Sequence, residues 1–168
     1  MSREQIRRRI QLLTWLFILG LILAGVTAIP LPGEVDLLAK IAGAKQLVEA
    51  PTSTAPPAWA IWLTKVQSAI ADVDVRYPFL FYGTDWLAFG HFVIAVAFIG
   101  ALRDPVRNCW LFTFGMIACA LVIPYALIFG AIRGIPFWWR LLDCSFGVFG
   151  IMPLWFCKRY VARIRLSD

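Results

Sequence analysis

The stretch Cys109–Ile132, CWLFTFGMIACALVIPYALIFGAI, contains no Lys, Arg, Asp, Glu or His. At about 1.5 Å per residue a helix of this length reaches about 36 Å, enough to cross a hydrocarbon core of about 30 Å with room to tilt. Three further apolar blocks accompany it: one from Ile10 or Leu12 to Ile29, one from Thr84 to Leu102, and one from Leu141 to Cys157. The last two lie near the lower limit of about 17 residues, so they are expected to stand upright or to begin inside the interface. The pattern predicts an all-α polytopic membrane protein with spans at about 10–29, 84–102, 109–132 and 141–157. Residues 30–83 form a small helical outer cap, and 1–168 make a single membrane domain.

Composition excludes the main alternatives. Of the 168 residues 61% are apolar and 15% charged, whereas an ordinary soluble domain carries about 25% charged residues. A mean hydropathy of +0.76, with 8 Trp and 13 Phe, also excludes disorder. The net charge of +6 sits in basic segments beside the spans, where it reads as a topology signal and not as a nucleic-acid site.

Lys and Arg near span ends favour the cytoplasmic side. With the amino terminus inside, that side holds ten of them: Arg3, Arg7, Arg8, Arg9, Arg103, Arg107, Lys158, Arg159, Arg163 and Arg165. The opposite side holds six, Lys40, Lys45, Lys65, Arg76, Arg133 and Arg140, the first four spread over the long cap. Both termini are therefore expected in the cytoplasm. The amino terminus imitates a secretory signal, with its arginines, its apolar core and Val26-Thr27-Ala28 before Pro30, and is expected to remain as an uncleaved anchor. Tyr160, Val161 and Ile164 fall at helical spacing among the basic residues of 158–166, so the fourth helix should continue into the headgroup layer, where anionic lipids are the expected partners of both basic termini.

In the cap, Leu37, Leu38, Ile41, Ala44, Leu47 and Val48 recur at three- and four-residue steps, as do Trp59, Trp62, Leu63, Val66, Ile70 and Val73. The break Pro51-Thr52-Ser53-Thr54-Ala55-Pro56-Pro57 separates the two runs, which predicts two short helices, each with one apolar face. Such a face could rest in the interface, cover the outer ends of the spans, or meet a partner; covering its own bundle is the expectation. The run Tyr77-Pro78-Phe79-Leu80-Phe81-Tyr82, with Trp138 and Trp139, marks the outer headgroup boundary.

Ionisable residues in or beside spans are functional candidates, because placing them in hydrocarbon costs about 2.5–3.5 kcal/mol or more. Here they gather at the outer face: Asp85 and His91 on the second span, Arg133 and Arg140 in the turn Arg133-Gly134-Ile135-Pro136-Phe137-Trp138-Trp139-Arg140, and Asp143 in the first turn of the fourth helix. A structural reading pairs the two arginines with the two carboxylates, which would also stabilise helix amino termini. A functional reading makes the cluster a site for an anion, a quinone or a lipid headgroup, with His91 exchanging a proton. Asp85 and His91 are about 240° apart around an ideal helix and do not form a dyad. No metal-ligand spacing occurs, and one histidine cannot supply both axial ligands of a bis-His haem, so no cofactor is expected.

The cysteines, Cys109 and Cys157 at inner span ends, Cys119 in mid-membrane and Cys144 near the outer side, contain no C-x-x-C and predict no intrachain disulfide. Gly20, Ala24 and Ala28, then Ala126 and Gly130, then Gly147 and Gly150 form small-residue ladders expected at helix contacts. Pro124 and Pro153 each free a carbonyl one turn earlier.

Tyr82-Gly83-Thr84-Asp85-Trp86, His91, Arg103-Asp104-Pro105-Val106-Arg107-Asn108, the arginine turn and Leu142-Asp143-Cys144-Ser145-Phe146-Gly147 together resemble a family of short bacterial membrane proteins with four spans. The resemblance covers the second half of the chain. It implies a bacterial cytoplasmic membrane and carries over no activity and no catalytic residue. The expected function is that of a non-catalytic accessory subunit or homo-oligomeric scaffold, which associates with itself or with a membrane-protein partner. The alternative is binding or transport of a quinone, lipid headgroup or organic anion through Asp85, His91, Arg133, Arg140 and Asp143, and a membrane enzyme ranks behind both.

Overall fold

The computed structural model describes residues 2–50 and 55–166. Its helices, in chain order, are α1 (Arg3–Ala28), α2 (Leu31–Ile41), α3 (Ala44–Glu49), α4 (Ala58–Arg76), α5 (Tyr82–Arg103), α6 (Cys109–Ile132) and α7 (Phe137–Arg165), with a 3-10 turn at Pro78–Phe81 leading into α5. No strand occurs among the described residues. Four segments, Arg3–Ala28, Pro78–Arg103, Cys109–Ile132 and Phe137–Arg165, are long and apolar enough to cross a membrane. The protein is an all-α polytopic membrane protein.

Two helices run well beyond their apolar blocks. Helix α1 begins at Arg3 because Ser2 and Gln5 form a reciprocal cap: the Ser2 N–H donates to Gln5 Oε1 at 2.9 Å and the Gln5 N–H to Ser2 Oγ at 3.2 Å. Arg8 and Glu4, 3.0 Å apart, then support the first turns. Helix α7 begins at Phe137, directly after Pro136, and runs without interruption to Arg165, which realises the predicted continuation beyond the span. Its early start shortens the expected turn to Arg133–Pro136, where Gly134 adopts a left-handed φ of 69°. Asp143 thus lies in the second turn of α7 and does not face the free N–H groups at its start. The first cap helix is interrupted at Gly43, whose φ of 63° separates α2 from α3; α4 matches the second expected helix. Residues 51–54 of the expected break lie outside the described residues, and Pro57 precedes α4.

The chain divides into two compact units, one from the described residues of Met1–Leu21 and Val93–Asp168, the other from Ile22–Phe92. In the first unit, Ile10, Phe98, Phe112, Leu154 and Cys157 are fully enclosed. Between helices in lipid, association depends on close contact, not on removal of apolar surface from water. Glycine permits it. A Cβ on Gly147 would stand 2.5 Å from the Cys119 carbonyl oxygen, and one on Gly150 2.6 Å from Cys119 Sγ, so α6 and α7 touch through backbone. Gly115 likewise receives Leu154, Phe98 and Phe17, and the Phe17 and Phe98 rings lie 4.8 Å apart. The expected ladder on α1 differs: Gly20 has open space around it, whereas Gly25, in the second unit, is pressed against Phe92. Packing selected the neighbouring residue, because the direction α1 turns towards α5 depends on both helices.

The one fully buried polar residue named in this core is Thr14. Its hydroxyl donates to the Ile10 carbonyl at 2.8 Å, and Cys157 Sγ stands 3.7 Å from the same oxygen and 3.8 Å from Thr14 Oγ1. Three polar atoms of α1 and α7 thereby satisfy one another in a dry contact.

In the second unit α2, α3 and α4 enclose a core of Ala39, Ala44, Ala60 and Leu63. Asp36 fastens α2 to α4 by accepting from Gln67 Nε2 at 2.9 Å, and it pairs with Lys40 at 2.6 Å. These bonds, Lys40 first and Gln67 second, hold the Asp36 carboxyl below its usual value near 3.8.

Replacing Gly147 by Ala should lower thermal stability in detergent by about 1–3 kcal/mol, because backbone cannot yield as a side chain does. Gly20→Ala should be neutral or stabilising by up to about 1 kcal/mol; differential scanning fluorimetry of both variants separates contact from propensity. For Asp36 the native carboxyl titrates below the unfolded one. Its contribution is thus present above the unfolded value and lost as pH falls through the native one. The stability difference between wild type and Asp36→Asn should accordingly shrink on acidification below about pH 4 and be constant from pH 5 to 7; a difference that grows on acidification would contradict the assignment.

Candidate functional site

Asp85 and His91 belong to the second unit, and Arg133, Arg140 and Asp143 to the first. Each group is built by its own helices. Asp85 is exposed in the first turn of α5, where a carboxylate suits the amino-terminal end of the helix dipole. It borders a shallow hollow of about 250 Å³ with Tyr82, Trp86 and Phe89. The three rings form an edge-to-face series, with centroids 5.9 Å apart for Tyr82 and Trp86 and 5.6 Å for Trp86 and Phe89, as expected of aromatic side chains at a headgroup boundary. The 3-10 turn is closed by Thr84, whose hydroxyl donates to the Phe81 carbonyl at 2.7 Å.

His91 lies 2.8 Å from the Leu87 carbonyl oxygen through Nδ1. A carbonyl can only accept, so Nδ1 carries the proton and Nε2 is left as the acceptor of the neutral ring. The ring is half-buried and anchored to its own helix one turn back. That bond orients the imidazole, and no ion pair among the described residues joins it to a carboxylate.

In the first unit, Arg133 is exposed at the end of α6, and its backbone N–H donates to the Phe129 carbonyl at 2.9 Å. Arg140 turns back on α6. Its Cγ and Cδ fill the space that a Cβ on Gly130 would occupy, at 2.6 and 2.5 Å from that position. Its Nη1 donates to the Leu127 carbonyl at 3.1 Å, and its guanidinium carbon lies 5.3 Å from the centre of the Phe137 ring. The guanidinium thus adds a charged donor to a carbonyl in the last two turns of α6, near the negative end of the helix dipole. Arg140 Nε is buried without a hydrogen-bond partner among the described residues.

Asp143 is half-buried on α7, and none of the ion pairs among the described residues joins it to Arg140 or Arg133. The expected Arg140–Asp143 pair therefore does not form. Three-residue spacing allowed it, but the guanidinium lies over Gly130 and donates to the Leu127 carbonyl on α6 instead. No three His, Cys, Asp or Glu side chains among the described residues come together to hold a metal ion.

A second polar assembly, in the first unit, lies at the opposite ends of the same helices. Asn108 Nδ2 donates to the Gly100 and Asp104 carbonyls at 2.9 and 3.0 Å, and Asp104 Oδ1 accepts the Arg107 N–H at 3.0 Å. Arg165 reaches the same loop, with Nη2 2.8 Å from the Val106 carbonyl oxygen and 3.0 Å from Cys109 Sγ. From α1, Arg7 donates to the Arg103 carbonyl and Arg9 to the Tyr160 hydroxyl, each at 3.3 Å. In sequence these arginines read only as topology signals; the Asp104-Pro105 step and the Asn108 before Cys109 were the local signs of a fastened turn. Nothing local pointed to Thr14, whose partners lie on α7 as well as on its own helix.

No family model, no curated protein and no solved structure matches the chain.

Arg140→Lys keeps the charge but loses the planar fork, and should cost about 1.5–3 kcal/mol of detergent stability. Arg133→Lys, on an exposed side chain, should stay within about 0.5 kcal/mol. His91→Gln, whose amide can still donate to the Leu87 carbonyl, should change stability by under about 1 kcal/mol. Thermal melts of the three variants in one detergent check the order.

Proposed function

We propose that this chain is a non-catalytic integral membrane protein that serves as an accessory subunit or homo-oligomeric scaffold. It resides in a bacterial cytoplasmic membrane with both termini on the cytoplasmic side. The observation that supports the first part is the outward face of α2. Leu37, Leu38 and Ile41 are 58%, 50% and 77% exposed there, while the enclosed position between them is Ala39. The cap thus turns its larger apolar side chains outward and closes its own core with alanines. Covering an exposed leucine or isoleucine is worth about 1.5–3 kcal/mol, so this face suits a protein contact. Two of the candidate polar residues, meanwhile, fasten backbone: His91 to Leu87 and Arg140 to Leu127.

The orientation is supported by the ten-to-six distribution of basic residues and by their arrangement in the first unit. There Arg7, Arg9 and Arg165 draw the start of α1, the loop between α5 and α6, and the end of α7 to one basic end.

A second reading, binding or transport of an organic anion, quinone or lipid headgroup at the outer polar residues, is favoured by the unpartnered Arg140 Nε. Loss of a cellular phenotype in His91→Gln with fold and expression intact would select it over the scaffold.

Two measurements test the proposal. With the native cysteines replaced, Leu38→Cys in native membranes should give a cross-linked dimer or a cross-link to another membrane protein, and Ile41→Glu should abolish it; a chain that stays uncross-linked throughout is not a scaffold. Val75→Cys should react with an impermeant maleimide from outside intact cells and Leu166→Cys only after lysis, and the reverse pattern overturns the orientation.

A further inference from the structure

Within the first unit a groove of about 840 Å³ runs between the start of α1 and the end of α5. Small-ligand sites span about 300–1,000 Å³. Its rim carries Arg7, Arg8 and Arg103, and its wall Trp15, Ile99 and Leu102. The bond from Arg7 Nη2 to the Arg103 carbonyl, 3.3 Å, ties the two sides together at the rim. Trp15 follows Arg7 at two-turn spacing, about 12 Å further along α1, and Ile99 precedes Arg103 by one turn of α5. Charge is therefore confined to one end, and an apolar wall extends from it along both helices. Trp15 and Ile99 are 51% and 39% exposed, so the wall is open to surrounding acyl chains. Of the three guanidinium groups, Arg8 faces Glu4 at 3.0 Å, and no ion pair among the described residues engages Arg7 or Arg103. The rim keeps a surplus of positive charge.

The geometry points to a site for one anionic diacyl phospholipid, with its phosphate held at the rim by Arg7 and Arg103 and an acyl chain laid along Trp15, Ile99 and Leu102. This assignment rests on the reading of the basic end as the one that meets an anionic leaflet, and it replaces a diffuse attraction by a defined groove. Arginine forks bind phosphate oxygens bidentately. A free phosphate would leave the wall uncovered, and a zwitterionic lipid would bring an ammonium group to a rim that is already cationic.

Native mass spectrometry of the purified full chain in detergent, titrated with phosphatidylglycerol, phosphatidylcholine or inorganic phosphate, tests the site independently of orientation. One phosphatidylglycerol should be retained, with about tenfold preference over phosphatidylcholine, which corresponds to about 1.4 kcal/mol. Arg7→Gln with Arg103→Gln should remove that preference. Arg107→Gln with Lys158→Gln, which strips equal charge outside the groove, should leave it within about twofold, under about 0.5 kcal/mol. Equal losses in both double variants would mean a general field and overturn the site, as would equal binding of the two lipids. Displacement of phosphatidylglycerol by inorganic phosphate at matched concentration would make it a site for a free anion and overturn the lipid assignment. If the groove variant does not fold, the wild-type competition among the three probes still decides. Failure here leaves the scaffold reading intact, since that is read from cross-links at the cap.

Discussion

Every backbone N–H and C=O inside a bilayer must be bonded by the protein itself, because no water is there to do it. Helices meet that requirement along their length but not at their last four carbonyls, nor where two helices are joined by a short turn. Several polar side chains of this protein add donors to backbone carbonyls near helix ends and turns. Arg140 serves the Leu127 carbonyl in the last two turns of α6. Asn108 serves Gly100 and Asp104 between α5 and α6, and Arg165 serves Val106 in the same loop. A charged donor on a carbonyl is worth about 1.5–3 kcal/mol, more than an exposed ion pair offers.

The same constraint shapes the contact between α6 and α7. With no hydrophobic drive between helices in lipid, the two associate through dispersion, which falls off steeply with separation. Gly147 against the Cys119 carbonyl and Gly150 against Cys119 Sγ bring the backbones together. Gly130 performs the equivalent service for Arg140, since its missing side chain is the space in which the arginine stem lies. Packing and hydrogen bonding where α6 turns into α7 thus depend on one glycine. At the other end of the unit, basic residues have two uses. Arg7, Arg9 and Arg165 fasten neighbouring segments, and the surplus charge around Arg7 and Arg103 lies beside an apolar wall.

Much of the candidate site was legible as a set of residue types and little of it as a set of partners. That Asp85, His91, Arg133, Arg140 and Asp143 are unusual follows from the cost of ionisable groups near hydrocarbon. Which atom each one satisfies does not follow, because i,i+3 spacing on α7 only permits the Arg140–Asp143 pair, while the competing Leu127 carbonyl is supplied by another helix. His91 bonds the Leu87 carbonyl one turn back on its own helix, a local contact, where a bond to a neighbouring helix was the more frequent expectation for a lone histidine. The groove at Arg7 and Arg103 had no sequence signal beyond charge, since its two walls are ninety-six residues apart in the chain.

The sequence by itself determined the four spans, the class, the basic ends and the second cap helix, because uninterrupted apolar length and period are properties of consecutive residues. The helix ends differ from the apolar blocks where local signals, which hydropathy does not weigh, set them. Ser2 with Gln5 starts α1 and Pro136 precedes α7, while Gly43 and Gly134 turn the chain through a left-handed conformation. Tertiary structure alone decided which small residues are contacts: Gly20 faces open space and Gly25 meets Phe92, a choice that depends on the direction from which a second helix approaches. It also decided that Thr14 and Cys157 share one buried carbonyl, and that Asp36 joins α2 to Gln67 on α4. Those partners are distant in sequence, and the free energy of their meeting is not encoded in either segment alone.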